Sequence, residues 1–158
     1  MIKPIELLPQ QPPFLFLDEY LELDEQHCLA KYTFKKDEWF FKGHFPGNPI
    51  VPGVILIEAM AQAGVVSIGI MVYASRMKLP MEKIREEWMA LFTHVNEAEF
   101  LEVVRPGETI FLDCRLTFNR FGKIETGGEI FKLVDGEKKL VCTHKGLTGQ
   151  GVKIKGGK

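Results

Sequence analysis

Two side chains in this sequence are suited to proton exchange with a substrate near neutral pH: His44 and Glu58, fourteen residues apart. A free imidazole titrates near 6.5, so it can take up or release a proton in neutral water. A carboxyl group among apolar neighbours is disfavoured as an anion and can stay protonated as an acid. His44 lies in Lys42-Gly43-His44-Phe45-Pro46-Gly47-Asn48-Pro49-Ile50-Val51-Pro52-Gly53, where Pro46, Gly47, Pro49 and Pro52 punctuate the chain. Proline fixes φ and glycine permits close backbone approach, so this loop is shaped rather than slack. Glu58 has Val54, Ile55, Ile57 and Met60 around it, which are expected to leave little room for water, and Gln62 four residues on. That spacing puts Gln62 on the same helix face as the acid. Singly, His44 reads as a turn residue and Glu58 as a satisfied core acid. Together they read better as an acid–base pair.

The elements that must hold this pair follow from pattern. Pro52-Gly53 opens a helix over about Val54–Ser75, because a proline at a helix start loses no needed donor. Ile55, Leu56, Ala59, Met60, Ala63, Val66 and Ile70 recur at helical spacing, and Val54, Ile57, Val65, Ile68 and Met71 make the remaining faces apolar. Such a helix is expected to be buried all round. Residues 51–75 are apolar enough for a membrane span, but Glu58 and Gln62 interrupt the run, which fits a core helix better. Around it, His27–Lys36 and Thr109–Asn119 alternate as half-buried strands. Ile124–Val134 reads as a strand with a bulge at Gly127-Gly128, Asp135-Gly136 as a hairpin turn, and Lys138–Leu147 as the last strand. Phe92–Val104 reads as extended and Met81–Trp88 as a charged helical excursion. Residues 149–158, rich in Gly and Lys, read as a mobile tail. The pattern is an α+β domain over residues 1–148, a curved antiparallel sheet around one long helix.

The run Gly43-His44-Phe45-Pro46-Gly47-Asn48-Pro49-Ile50-Val51-Pro52-Gly53-Val54-Ile55-Leu56-Ile57-Glu58-Ala59-Met60-Ala61-Gln62-Ala63-Gly64 closely resembles the signature of beta-hydroxyacyl-ACP dehydratases of the FabZ type. The resemblance implies a hotdog fold. Glu58, where the related dehydratase-isomerases carry Asp, favours the simple dehydratase. Weaker echoes lie in Leu8–Glu19 and Ala98–Glu108. One departure is plain: the family opening reads Leu-Pro-His-Arg, and this chain has Gln10 and Gln11 at the last two positions. The resemblance also implies a homodimer or a trimer of dimers, with His44 and Glu58 meeting across the dimer interface and Gln62 supporting Glu58. It implies an acyl carrier protein as the partner that brings the substrate.

Dehydrating a 3-hydroxyacyl thioester needs a base for the C2 proton, donors for the charge developing on the carbonyl oxygen, and an acid for the departing hydroxyl. His44 suits the first task and Glu58 the third. Free backbone N–H groups near Gly53 and Val54, at the positive end of a long helix, suit the second. Phe45 is placed with Gly53 and Val54 in the substrate site. No organic cofactor or metal is required by this chemistry. Two alternatives remain open: a hotdog acyl-thioester hydrolase, with a helix acid activating water, and a non-catalytic acyl-binding subunit.

Composition narrows the class. At 158 residues, 46% hydrophobic and 26% charged, the chain fits a soluble globular domain. A net charge of −1 and the lack of a basic–aromatic patch give no footing for nucleic acid. Cys28, Cys114 and Cys142 are odd in number and far apart, and no secretory start precedes the body, so a cytoplasmic location is expected.

Overall fold

The computed structural model describes residues 2–154. A short helix α1 (Pro4–Leu7) leads through an extended segment to β1 (Glu19–Leu23) and β2 (His27–Thr33). A 3₁₀ turn over Trp39–Lys42 enters the His44 loop. The central helix then runs from Gly53 to Met77 as α2 (Gly53–Ala61), a π-helical segment (Gln62–Ile68) and α3 (Gly69–Met77). After α4 (Met81–Glu87) come β3 (Trp88–His94), β4 (Glu97–Phe100), β5 (Thr109–Arg120), β6 (Lys123–Val134) and β7 (Glu137–Lys153). All strand pairings are antiparallel, in the order β1-β2-β5-β6-β7-β3, with β4 also on β7. This sheet curls around the central helix, the hotdog arrangement that the sequence pattern and resemblance anticipate.

The core forms where strand alternation meets the helix. Cys28, Ala30 and Tyr32 of β2 and Ile110, Leu112 and Cys114 of β5 point inward against Ala59, Met60 and Ala63. Gly64 lets the helix press close, since a Cβ there would lie 2.7 Å from Thr126 Oγ1 and 3.3 Å from Cys114 Cβ. At Gly128 an added Cβ would fall 2.2 Å from the Asp113 carbonyl oxygen, and the β6–β7 register shifts between Thr126 and Gly128. The expected bulge therefore exists, and it is one that only glycine fits. Asp135 and Gly136 both have positive φ, the geometry of a tight hairpin.

Three expectations change. The helix is not buried all round: Val54 is 70% exposed, so water reaches the first turn that the sequence had closed off. The strand expected from Phe92 begins at Trp88. The mobile tail does not begin at Gly149: β7 continues to Lys153, pairing with β3 from Trp88↔Lys153 to His94↔Thr148. Gly149 and Gly151 serve close packing there, where a Cβ on Gly149 would meet Val65 Cγ1 at 2.3 Å. Residues 155–158 of the expected tail lie outside the described residues.

Candidate active site

Glu58 lies in the last turn of α2, half-buried, and its surroundings are wired rather than merely apolar. Gln62 Nε2 donates to Glu58 Oε1 at 2.9 Å and to the Phe14 carbonyl at 2.9 Å. The Phe16 N–H donates to Gln62 Oε1 at 2.8 Å. Gln62 itself is fully buried, with its amide fixed in one orientation by backbone groups 46 and 48 residues away in sequence. Glu58 Oε1 is thereby an acceptor, and a proton on this carboxyl belongs on Oε2. Burial holds the Glu58 pKa above the usual carboxylate range. The Gln62 hydrogen bond opposes this, as does the nearby Gln10 amide, which stands outside full hydrogen-bond geometry.

The π segment begins at Gln62. Its wider turn frees the Gln62 carbonyl, which accepts from Ser67 Oγ at 2.7 Å, and Tyr20 OH in turn donates to Ser67 Oγ at 2.7 Å. Sites of this kind are where π turns tend to occur. The pattern of apolar residues could not reveal it, because an all-apolar helix has no phase to shift.

The histidine side is built differently. The His44 N–H and Gly43 N–H both donate to the Phe40 carbonyl, closing the 3₁₀ turn. Ile50 N–H donates back to the His44 carbonyl at 3.0 Å, and Val51 N–H pairs with the Val104 carbonyl. Gly47 takes φ +75°, a conformation glycine adopts freely. Arg105 Nη1 donates to Asn48 Oδ1 at 2.9 Å. The imidazole Nδ1 lies 3.0 Å from the Ile50 carbonyl. A carbonyl can only accept, so Nδ1 carries the hydrogen and Nε2 presents a lone pair. Phe45 stacks on the ring at 4.1 Å between centroids, and the His44–Phe45 peptide is cis.

Pro52 caps α2 without a side-chain hydrogen bond, and the first N–H groups to bond within the helix are those of Ile55 and Leu56, to the Pro52 carbonyl. Among the described residues, the Gly53 and Val54 N–H groups have no hydrogen-bond partner. Phe100 of β4 lies over this helix start, so close that a Cβ on Gly53 would sit 2.9 Å from its ring. Along the second half of the central helix lies a small apolar cavity of about 30 Å³, lined by Pro9, Val66, Gly69, Tyr73 and Trp88.

Within one chain the structure joins Glu58 to Gln62, and His44 to Phe45 and Ile50. No hydrogen bond or ion pair among the described residues joins His44 to Glu58. Sequence reasoning missed Phe100, the backbone clamp at Phe14 and Phe16, and the proximity of Gln10 to Glu58. None of these has a spacing signal, since each is brought in from a distant strand or from the N-terminal segment.

An antiparallel sheet curled on one helix, with a carboxyl on that helix and a histidine in the loop before it, defines the class of hotdog enzymes. The profile of the FabA-like domain matches residues 8–140, and the chain belongs to this family. Among curated relatives, the 3-hydroxyacyl-(acyl-carrier-protein) dehydratase FabZ of Chlamydia trachomatis is 33% identical over 147 residues, covering 88% of this chain and 89% of that protein. That of Erwinia tasmaniensis is 38% identical over 139 residues, covering 87% and 83%. Among solved structures, the dehydratase heterocomplex ApeI:P from Xenorhabdus doucetiae superposes with a TM-score of 0.72 at 17% identity, over 95% of this chain and 91% of that one. A thioesterase from Haemophilus influenzae gives 0.56 at 16% identity, over 85% and 78%, and thus shares the fold alone.

Proposed function

We propose that this chain is a 3-hydroxyacyl-ACP dehydratase that forms the trans-2-enoyl thioester in fatty acid biosynthesis, with His44 as base and Glu58 as acid. The observation that carries the reading is the Glu58–Gln62 pair: a carboxyl held toward its neutral form by burial, its spare oxygen left for a proton. His44 Nε2 takes the C2 proton. Electrons move toward the thioester carbonyl, whose oxygen is received by the free N–H groups at Gly53 and Val54. Glu58 gives its proton to the departing hydroxyl as the C3–O bond breaks, and water leaves. The proton on His44 then returns to Glu58 through solvent.

Because no hydrogen bond or ion pair joins His44 to Glu58 among the described residues of one chain, the complete site is assigned to two copies. β3 and β4 line one open edge of the sheet, and Met89, Leu91, Phe92, Phe100 and Leu101 expose large apolar side chains there. An open apolar edge is a hazard unless a partner covers it, and a second copy pairing along β3 does so. The acyl carrier protein is assigned as the partner that delivers the substrate, and the cytoplasm as the place.

The test is one assay with a 3-hydroxyacyl thioester. Reversible appearance and loss of enoyl absorbance is expected. Release of free thiol instead would select a hydrolase, and binding with neither change would select a non-catalytic acyl carrier.

A further inference from the structure

Lys132 is a buried cation that neither proton transfer uses. It follows Ile124, Thr126 and Ile130 on the inward face of β6 and is 9% exposed. Lysine is seldom buried unless its ammonium is paired, because the charge must be taken out of water. Its partners here lie at the two ends of one short segment, residues 103–108. Lys132 Nζ donates to the Val103 carbonyl at 3.0 Å and to Glu108 Oε1 at 2.9 Å. The Arg105 N–H donates to Glu108 Oε2 at 2.6 Å. The segment is thus a strap with both ends on one ammonium. The strap in turn holds the His44 loop at two points. The Val51 N–H donates to the Val104 carbonyl at 2.8 Å, and Arg105 Nη1 donates to Asn48 Oδ1 at 2.9 Å. Ile50, whose carbonyl accepts from His44 Nδ1, lies between these two ties in the chain.

We propose that Lys132 is a positioning residue for His44: by closing the strap it sets the place of the Ile50 carbonyl, and with it the tautomer of the imidazole. The role given to His44 rests on the dehydratase reading above. Val51 and Val104 are both buried, and the bond between them is backbone to backbone, so the loop follows the strap when the strap moves. Without the ammonium, the Val103 carbonyl and Glu108 lose their common donor, and the two ends of the strap are no longer held together. Loosening there displaces Ile50 from His44 Nδ1. A neutral imidazole freed from that carbonyl can carry its hydrogen on either nitrogen. In molecules with the hydrogen on Nε2, the lone pair that takes the C2 proton is gone. The effect falls on turnover rather than on binding, because the substrate touches neither Lys132 nor the strap in this reading.

The experiment follows tautomer and turnover together. Protein isotope-labelled at the histidine ring nitrogens is studied by NMR at about pH 8, above the ordinary imidazole value, with the His44 signals identified by their loss in His44→Ala. The wild type is expected to carry its hydrogen on Nδ1. Lys132→Met keeps the stem and removes the charge. It should give a mixture of tautomers, with kcat for dehydration down by about ten- to 100-fold, the cost of a misplaced reacting group, and KM changed far less. Hydrogen kept on Nδ1 in folded Lys132→Met, or turnover equal to the wild type, overturns the proposal. Should Lys132→Met not fold, Glu108→Gln supplies the second variant. A carboxylate accepts from Lys132 and from the Arg105 N–H with its two oxygens, whereas an amide offers an oxygen on one side only. The same mixture of tautomers is expected, and an unchanged tautomer again overturns the proposal. Failure of the dehydratase reading would show separately, as wild-type protein that forms no enoyl product, while the tautomer measurement still decides whether Lys132 sets the imidazole.

Discussion

The two halves of the site are held by different means. Glu58 is fixed from the core outward: Gln62 is fully buried, clamped by the backbone at Phe14 and Phe16, and set at the start of a π turn that Ser67 and Tyr20 complete. His44 is fixed from the surface inward, by a loop of prolines and backbone hydrogen bonds, with one carbonyl choosing its tautomer and Phe45 against its ring. Each method suits its residue. An acid that must stay protonated gains from a desolvated, rigid wall. A base that works as a neutral imidazole needs an open lone pair and a set tautomer. The fold settles the partners of Glu58 within one chain and leaves His44 Nε2 without a partner among the described residues.

The contrast breaks most visibly at Glu58. Glu58→Gln keeps the shape and the contact with Gln62 but cannot transfer a proton at neutral pH. Turnover should fall by about 10²–10⁴-fold, the usual worth of general acid catalysis, while the melting temperature stays level or rises. Glu58→Ala should lose activity similarly and lose stability as well, through the packing it vacates. Dehydration rates and melting curves of both variants decide. Near-normal turnover in folded Glu58→Gln would reduce this carboxyl to a structural role.

Between the halves lies the start of α2, where Gly53 faces Phe100. Gly53→Val pushes that ring or the helix start by a fraction of an ångström or more. Displacement on this scale costs up to about 100-fold in turnover, with the fold retained. Steady-state rates beside far-UV circular dichroism test this. Wild-type turnover would remove the Gly53 and Val54 N–H groups from the mechanism.

His144 sharpens the contrast, because it is more deeply buried than Glu58 and serves only packing. It contacts Met60 Sδ and lies 3.5 Å from Thr126 Oγ1, and burial pushes its pKa down to about 4. The folded protein therefore binds fewer protons than the unfolded chain between about 4 and the ordinary 6.5. The stability from neutral His144 is complete above 6.5 and is lost as pH falls toward 4, on the order of 3 kcal/mol at most. Melting temperature against pH should drop over that window in the wild type and less steeply in His144→Gln. Parallel curves would show that the imidazole is not the sensitive group.

The sequence made the fold and the candidate pair legible for physical reasons. Strand alternation, the Gly127-Gly128 bulge and the Asp135-Gly136 turn are local rules, and His44, Glu58 and Gln62 lie within one short segment. The remainder depends on tertiary contacts. Gln10 read only as a departure from the family opening, because nothing local places it beside Glu58. The extension of β7 to Lys153 was hidden by its glycines, which weaken a strand in isolation but here admit Val65 and Tyr73 against the sheet. Val54 looked buried because the pattern cannot separate a helix face covered by the chain from one left open.

The most direct test of the central claim mixes two dead proteins. His44→Ala and Glu58→Ala are each expected to be nearly inactive alone. After subunit exchange, mixed dimers carry one site with an intact His44 from one chain and an intact Glu58 from the other. At equal amounts, random exchange makes about half the dimers mixed, each with one of two sites working, so about a quarter of wild-type activity should return. If exchange is shown by mass or fluorescence and no dehydration returns, the acid and base do not meet across chains, and the two-copy site is wrong.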